Sequence, residues 1–401
     1  MMIFNKTFFL CLSASFAVLL QKSNAFTPLA LSNSHKTKLS LSNDPIASDG
    51  EPSGRRNFLT KVIAGLATTG IVANGIAVQG PSPFYPAAGS MTGKLVVITG
   101  GNTGLGLESG KRLAASGATV VLTSRSLKKG ERAVQTIKDY VKEQNGIDID
   151  NVYALPLDLC DLNDVKGFSK VLSESPAFKS INHVDVLLNN AGVMAVPELQ
   201  ITKDGFEKTF QTNHLGHFAL TAQIMPLLNS DGSRIVNVSS MAHLIASKGL
   251  DMSNLNGEKE YGPWTSYGAS KLENILFTNE LQRRSKEAGK RITAVSLHPG
   301  VVRTDLARYI IGDDNFVSMQ DASPTLADEL KVLPMMYFTK SVDRGSNSQI
   351  YLSALQGGDE VGGKFFVNMK DTKPSPAAMD MEQAKELWEI SEKLSGVSFN
   401  F

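Results

Sequence analysis

Tyr267 and Lys271 stand four residues apart in Tyr267-Gly268-Ala269-Ser270-Lys271, a spacing that puts a phenol and an ammonium on one face of a helix. A phenol beside a cation can give or take a proton at a carbonyl oxygen, which is general acid–base chemistry. The spacing alone is cheap, since eight tyrosines in 401 residues produce such a pair readily by chance. Its companions give it weight. Ser239-Ser240 ends one apolar run, Asn189-Asn190-Ala191-Gly192 ends another, and Pro299-Gly300-Val301-Val302-Arg303-Thr304 ends a third. Asn213 lies in a helical stretch between them. Open α/β sheets carry their chemistry at the ends of strands.

A second group of residues suits a dinucleotide. Thr99-Gly100-Gly101-Asn102-Thr103-Gly104-Leu105-Gly106 follows an apolar run and opens a helical pattern. Glycines there let the chain turn tightly and let backbone N–H groups approach a pyrophosphate at the positive end of a helix. No Gly-Lys-Ser/Thr follows, so the loop is not a P-loop. Where a NAD site usually has an acid on the ribose, this chain has Thr123-Ser124-Arg125-Ser126, with Lys128 and Lys129 behind. A guanidinium at Arg125 can fork onto a 2′-phosphate, which favours NADP(H). The missing acid also weakens a methyltransferase reading.

The elements that must position these groups alternate. Apolar runs predict strands at residues 94–99, 119–123, 152–157, 184–189, 234–239 and 292–297, with a weaker one at 363–367. Helical patterns lie between them, at 105–115, 127–145, around 204–228 and at 267–286. The alternation predicts an α/β fold, a Rossmann-type doubly wound parallel sheet with helices on both faces, in one domain over 92–401.

The first ninety residues read as addresses. Phe8–Leu20 is an apolar run of 13, too short to span a bilayer comfortably, and Ser23-Asn24-Ala25 offers a cleavage site, so 1–25 is a signal peptide. Residues 26–52, opening on Phe26 and poor in acids, are similar to the plastid transit part of bipartite presequences. Residues 53–80 hold Arg55-Arg56 before the uncharged stretch Val62–Val78. They read as a twin-arginine signal, a single membrane anchor or an amphipathic stretch. Pro81, Pro83 and Pro86 mark a linker over 81–91. The expected address is a plastid, at the thylakoid lumen or membrane. Residues 1–91 hold 7 Lys/Arg and 3 Asp/Glu; from totals of 40 and 39 the remainder holds 33 and 36, a net of −3. That gives no electrostatic case for nucleic acid. Two cysteines, Cys11 and Cys160, exclude a disulfide framework or a multi-cysteine metal site. His214 and His217 lack a carboxylate or thiol companion and read as helix packing, so no metal is expected. Cys160 reads as a buried structural thiol, and Asn189 as a strand-end hydrogen bonder.

Together these motifs resemble the short-chain dehydrogenase/reductase family over about residues 92–397. Thr99–Gly106 matches its glycine motif, Asn189–Gly192 its NNAG motif and Tyr267–Lys271 its YxxxK motif. The long insertion between Ser240 and Tyr267, Thr212–Phe218 and the tail Leu387–Ser391 resemble the retinol dehydrogenase branch and its relative, light-dependent protochlorophyllide reductase. That pigment reductase has Cys-Asn-Ala-Ala where this chain has Asn189-Asn190-Ala191-Gly192, so it is the alternative. A non-catalytic NADPH-sensing scaffold is a further one.

The resemblance implies roles. Tyr267 would be the general acid in reduction, and Lys271 would lower the tyrosine pKa and hold the nicotinamide ribose. Ser240 would hydrogen-bond the substrate oxygen, with Ser239 facing the sheet, and Asn213 would anchor a relay water. Tyr261 has no Lys four residues on and is the weaker candidate for proton donor. The implied cofactor set is Gly100, Asn102, Thr103, Gly104, Leu105, Gly106, Arg125, Asp158, Leu159, Asn190, Ala191, Gly192, Pro299, Gly300, Val302 and Thr304, with Tyr267 and Lys271. Asp158 would contact adenine and Thr304 the carboxamide. Apolar residues after Thr304, from Leu306 to Phe338, would form a lid for a hydrophobic aldehyde, ketone or pigment. Family members often pair through the helices carrying Asn213 and Tyr267, so the resemblance allows a homodimer, while nothing in the sequence demonstrates one.

Overall fold

In a computed structural model of the chain, the described residues are 80–302 and 339–401, all within the compact unit Lys61–Phe401. The leader over 1–79, Thr304 and the expected lid lie outside the described residues.

Strands β1 (Leu95–Ile98), β2 (Thr119–Ser124), β3 (Val152–Pro156), β4 (Val186–Asn189), β5 (Ser233–Val238) and β6 (Ile292–His298) are joined by β7 (Phe365–Val367) and β8 (Lys370–Asp371). The sheet order is β3-β2-β1-β4-β5-β6-β7-β8, parallel throughout except for the β7–β8 hairpin. Every residue of β1, β2, β4, β5 and β6 is buried, because helices cover both faces. The expected doubly wound α/β fold is what the chain adopts. β8, only two exposed residues long, has no counterpart among the expected strands.

On one side of the sheet α1 (Gly104–Ala115) and α2 (Leu127–Asn145) cover β1 and β2. Gly110 permits this: a Cβ there would lie 2.8 Å from Ile137 of α2. α3 (Leu162–Glu174) packs Val165, Phe168 and Leu172 on the other face, started by the Asp161 carboxylate, which caps the Asn163 and Asp164 amides. The short α4 (Pro176–Ile181) follows it.

The helical stretch around 204–228 is not one regular helix. α5 (Lys208–Phe210) passes through a π turn (Gln211–Leu215) into α6 (Gly216–Ile224). The long α7 (Pro263–Glu287) lies against β5 and β6. The short α8 (Val342–Gly345) and then α9 (Asn347–Ala354) return to α1, and α10 (Met381–Ser395) closes the second layer on α7 with Leu387 and Trp388.

Residues 81–91, expected as a linker, are tied to the domain. The Phe84 amide donates to Asn347 Oδ1 at 2.8 Å, Asn347 Nδ2 donates to the Ser82 carbonyl at 2.8 Å, and Arg112 donates to the Phe84 carbonyl at 3.1 Å. Phe84 also packs edge-on against Tyr351, 5.6 Å between ring centroids. Prolines pre-extend this strap, and partners scattered over the domain hold it down. On α7 every residue from Ser270 to Thr278 is buried by the chain itself, as are Asn213 to Phe218 on the other helix. Among the described residues no helix is long and apolar enough to cross a membrane.

Candidate active site

Strand order reverses between β1 and β4, and the crevice at their carboxyl ends receives the glycine loop. Gly100 has φ +62°, in the left-handed region, and a Cβ there would meet Ala191 at 3.0 Å. At Gly106 a Cβ would lie 2.5 Å from the Gly100 carbonyl oxygen and 2.6 Å from Asn190 Nδ2, so only glycine fits. The loop is clamped from three directions. The Gly101 amide donates to the Thr123 carbonyl at 3.2 Å. Asn190 Nδ2 donates to the Thr99 carbonyl at 2.8 Å, and Gln349 Nε2 to the Leu105 carbonyl at 3.1 Å.

Asn102, Thr103, Gly104 and Leu105 follow on this loop at the positive end of α1. Arg125, exposed, ends β2 beside it. Asp158 and Leu159 follow β3: the Asp158 carboxylate accepts from the Cys160 amide at 3.0 Å, while Leu159 is buried. The Asn190 side chain is committed to the loop. Its amide group braces Thr99, and its Oδ1 accepts from Gln349 at 3.3 Å, so the side chain holds the loop rather than reaching into the crevice. Ala191 and Gly192 line the same turn. A Cβ on Gly192 would lie 3.1 Å from Asn213 Oδ1 and 3.7 Å from Lys271 Nζ, bringing the NNAG turn against the acid–base group.

That group sits at the carboxyl end of β5. Tyr267 and Lys271 share one face of α7, both buried, with the Lys271 Nζ 5.6 Å from the phenol ring centroid. Lys271 donates to the Val238 carbonyl at 3.1 Å, and Asn274 Nδ2 donates to the same oxygen at 3.2 Å. Ser240 accepts the Ala242 amide at 3.1 Å, capping a 3₁₀ turn (Met241–Ala246), and its hydroxyl lies on the Tyr267 side, near enough to favour the ionised phenol. Ser239 does not face the sheet. Its hydroxyl donates to the Lys271 carbonyl at 2.6 Å, because strand alternation ends at Val238 and the chain turns toward α7. Asn213 Nδ2 donates to the Val193 carbonyl at 3.0 Å and to Ser270 Oγ at 2.9 Å, and its Oδ1 accepts the Val193 amide at 2.8 Å.

Burial pushes the Tyr267 phenol up to about 12, with the Ser240 hydroxyl pulling the other way. Burial also pushes the Lys271 ammonium down to about 8, opposed by the Glu273 carboxyl. Burial, not Lys271, sets the direction of the phenol's shift in this structure. A phenol held protonated is suited to donate, and a lysine near 8 can exchange protons at physiological pH. Tyr261, the weaker candidate, is committed elsewhere: its hydroxyl donates to the Val196 carbonyl at 2.6 Å.

Pro299, Gly300 and Val302 follow β6 and meet Lys340, which donates from Nζ to the Pro299 carbonyl at 3.3 Å. Gly300, φ +104°, leaves room for that side chain. Sequence reasoning missed Lys340, Gln349 and His243. The His243 Nδ1 lies 2.7 Å from the Ser240 carbonyl oxygen and its Nε2 accepts the Ser375 amide at 3.2 Å, so the ring holds Ser240 from behind. No spacing in the chain announces these three. His214 packs as expected, among Phe210, Phe218 and Phe277. Cys160 is only half-buried, its Sγ 3.0 Å from Thr212 Oγ1, and burial raises its thiol. Among the described residues no cluster of His, Cys, Asp and Glu could hold a metal ion.

A glycine loop at a sheet's reversal point and a serine–tyrosine–lysine group at the next strand ends define a class, and comparison gives it a family. Residues 94–315 match the family model described as short chain dehydrogenase, and the chain belongs to that family. It is an oxidoreductase of the kind that uses a nicotinamide cofactor and acts on an alcohol or its carbonyl. It is 38% identical over 315 residues to retinol dehydrogenase 14 of Mus musculus, covering 77% of this chain and 88% of that protein. Over 316 residues it is 36% identical to retinol dehydrogenase 13 of Homo sapiens, covering 78% and 87%. A solved structure of an uncharacterized protein from Mycobacterium paratuberculosis is 32% identical, with a TM-score of 0.58 over 80% of this chain and 100% of that one.

Proposed function

We propose that the protein is an NADP(H)-dependent oxidoreductase of a hydrophobic alcohol and its aldehyde or ketone, working in a plastid. The observation that carries the reading is the buried Tyr267 phenol with Lys271 on the same helix face, its Nζ 5.6 Å from the ring, at the strand end where Ser240 sits. The cradle suits a dinucleotide: the glycine loop has no space for a Cβ at Gly106, and the amides that open α1 face a ligand's negative charge. Arg125, exposed at the end of β2 with no acid beside it in sequence, favours a 2′-phosphate. When bound, the nicotinamide supplies or accepts the hydride. Tyr267 holds the proton for the substrate oxygen, Ser240 orients that oxygen, and Lys271 keeps the phenol's surroundings positive. Asn213 ties the α7 end to the NNAG turn through Ser270 and Val193.

The names of the retinol dehydrogenases, together with the apolar residues after Thr304, support a long apolar substrate. The order of leader signals supports the plastid address, and the uncharged stretch Val62–Val78 supports a thylakoid association. A fluorescent fusion of the leader would test the address. For the reaction, the full-length protein is assayed with NADPH and with NADH against apolar aldehydes, ketones and their alcohols, beside Tyr267→Phe. NADPH-preferring oxidation that vanishes in the variant is expected. NADPH binding without turnover of any of them would favour a sensor instead.

A further inference from the structure

His217, read from sequence as packing, is 2% exposed on α6 just after the π turn. Its Nδ1 lies 3.0 Å from the Asn213 backbone oxygen. A carbonyl only accepts, so Nδ1 carries a hydrogen. Burial, with the charge of Lys271 adding to it, pushes the ring down to about 4, against the hydrogen bond to Asn213. The imidazole is therefore neutral at physiological pH and has one N–H. Its Nε2 is bare and must accept.

The group facing Nε2 is the Thr99 hydroxyl, 2.9 Å away. That hydroxyl has one hydrogen, and the ring at 2.9 Å takes it over the Leu188 carbonyl at 3.4 Å, which the Thr99 amide already serves. The Thr99 oxygen then keeps its lone pairs for the Asn190 amide at 2.9 Å and the Ala191 amide at 3.0 Å. A leucine or phenylalanine would fill the same space without choosing a direction for the Thr99 proton. One ring of fixed tautomer thus joins the end of β1, from which the glycine loop leaves, to the backbone of Asn213.

We infer that His217 is a positioning residue that locks the cofactor-side turn Thr99–Ala191 and the acid–base side at Asn213 into one register. The inference rests on the functional reading above. The ring touches neither substrate nor cofactor and acts through Thr99 and Asn213.

Its two nitrogens can be separated by substitution. His217→Asn keeps a donor where Nδ1 stood and loses the bond to Thr99. His217→Gln reaches toward Thr99 and loses the bond to Asn213. Both variants and His217→Leu are made in the full-length protein. NADPH binding is followed by nicotinamide fluorescence, turnover and its solvent deuterium isotope effect with an apolar aldehyde, and folding by Tm.

His217→Asn is expected to weaken NADPH binding roughly tenfold with kcat little changed, as for a buried polar group left without its partner. His217→Gln is expected to lower kcat by a similar factor and change the isotope effect, with NADPH binding kept. His217→Leu should show both losses. Parental binding and turnover in His217→Leu would reduce the ring to packing and overturn the inference while leaving the enzyme reading intact. Equal losses of Tm, binding and kcat in Asn and Gln would overturn it too, since a core residue behaves that way. A parent protein that binds no NADPH would overturn both readings. Should His217→Leu fail to fold, the Asn and Gln pair still decides.

Discussion

Two faces of one helix are buried to a similar depth and finished differently. On one side of α7, Tyr267, Ser270, Lys271 and Asn274 meet the ends of β5 and the NNAG turn. Ser270 donates to the Tyr267 carbonyl and accepts from Asn213, and Lys271 and Asn274 share the Val238 carbonyl. On the other side, Ala269 and Glu273 face the inserted segment across a cavity of about 200 Å³. Glu207, at the same cavity, has its carboxylate committed to the Thr209 and Phe210 amides at 2.8 and 2.6 Å. Glu273 is buried, and its Oε2 has no hydrogen-bond partner among the described residues. Burial, with Glu207 nearby, pushes its carboxyl well above the ordinary carboxylate range. Burial alone therefore does not hold a polar group in place; closure of its hydrogen bonds does.

Substitutions can sharpen or break this contrast. The largest effect is expected for Tyr267→Phe, which should lower turnover by roughly 10²–10⁴-fold while Tm stays near the parental value. A variant that keeps activity would mean that the well-bonded face is only structural. Next comes pH. Lys271 titrates near 8, so kcat/KM for carbonyl reduction by the free enzyme should fall as pH rises through about 8 and hold steady below it. A profile flat from pH 6 to 10 would break the assignment. Asn274→Ala should cost about 1–3 kcal/mol of stability, because buried partners lose a hydrogen bond, with kcat changed far less than by Tyr267→Phe. Denaturant unfolding beside steady-state kinetics would separate the two.

The smallest effect belongs to the other face and has the opposite sign. A carboxyl raised above its unfolded value of 4.5 gives stability that is fully present below about pH 4.5 and is lost as pH rises toward the folded pKa. Glu273→Gln removes that loss. The variant should be more stable than the parent at pH 8, by no more than about 1 kcal/mol, with the gain shrinking as pH falls toward 4.5. A variant less stable at every pH would show that Glu273 is as well held as Lys271.

Strands buried on both faces were legible because their apolar runs are continuous, as in Leu95–Ile98 and Ile292–His298. The glycine loop and the Tyr267–Lys271 spacing were legible because local geometry alone demands those residue types. The π turn at Gln211–Leu215 was not, since an apolar helical pattern looks the same with one extra residue in a turn. Asn213 emerged only through family resemblance. The roles of His217, His243 and Gln349 were not legible for another reason: each also bonds a partner 118, 132 or 244 positions away, which no local spacing marks. Strand alternation misled at Ser239, one residue past the end of β5.

The strap over residues 80–90 sets an order of events. Its most distant anchor, Asn347, lies 263 positions downstream of Phe84, so that bond forms only after nearly all of the domain has left the ribosome. At ordinary speeds of synthesis that interval lasts roughly 15–50 s. Throughout it the strap has only its nearer partners, such as Arg112. Once Asn347 arrives, the same residues become a fixed border of the domain.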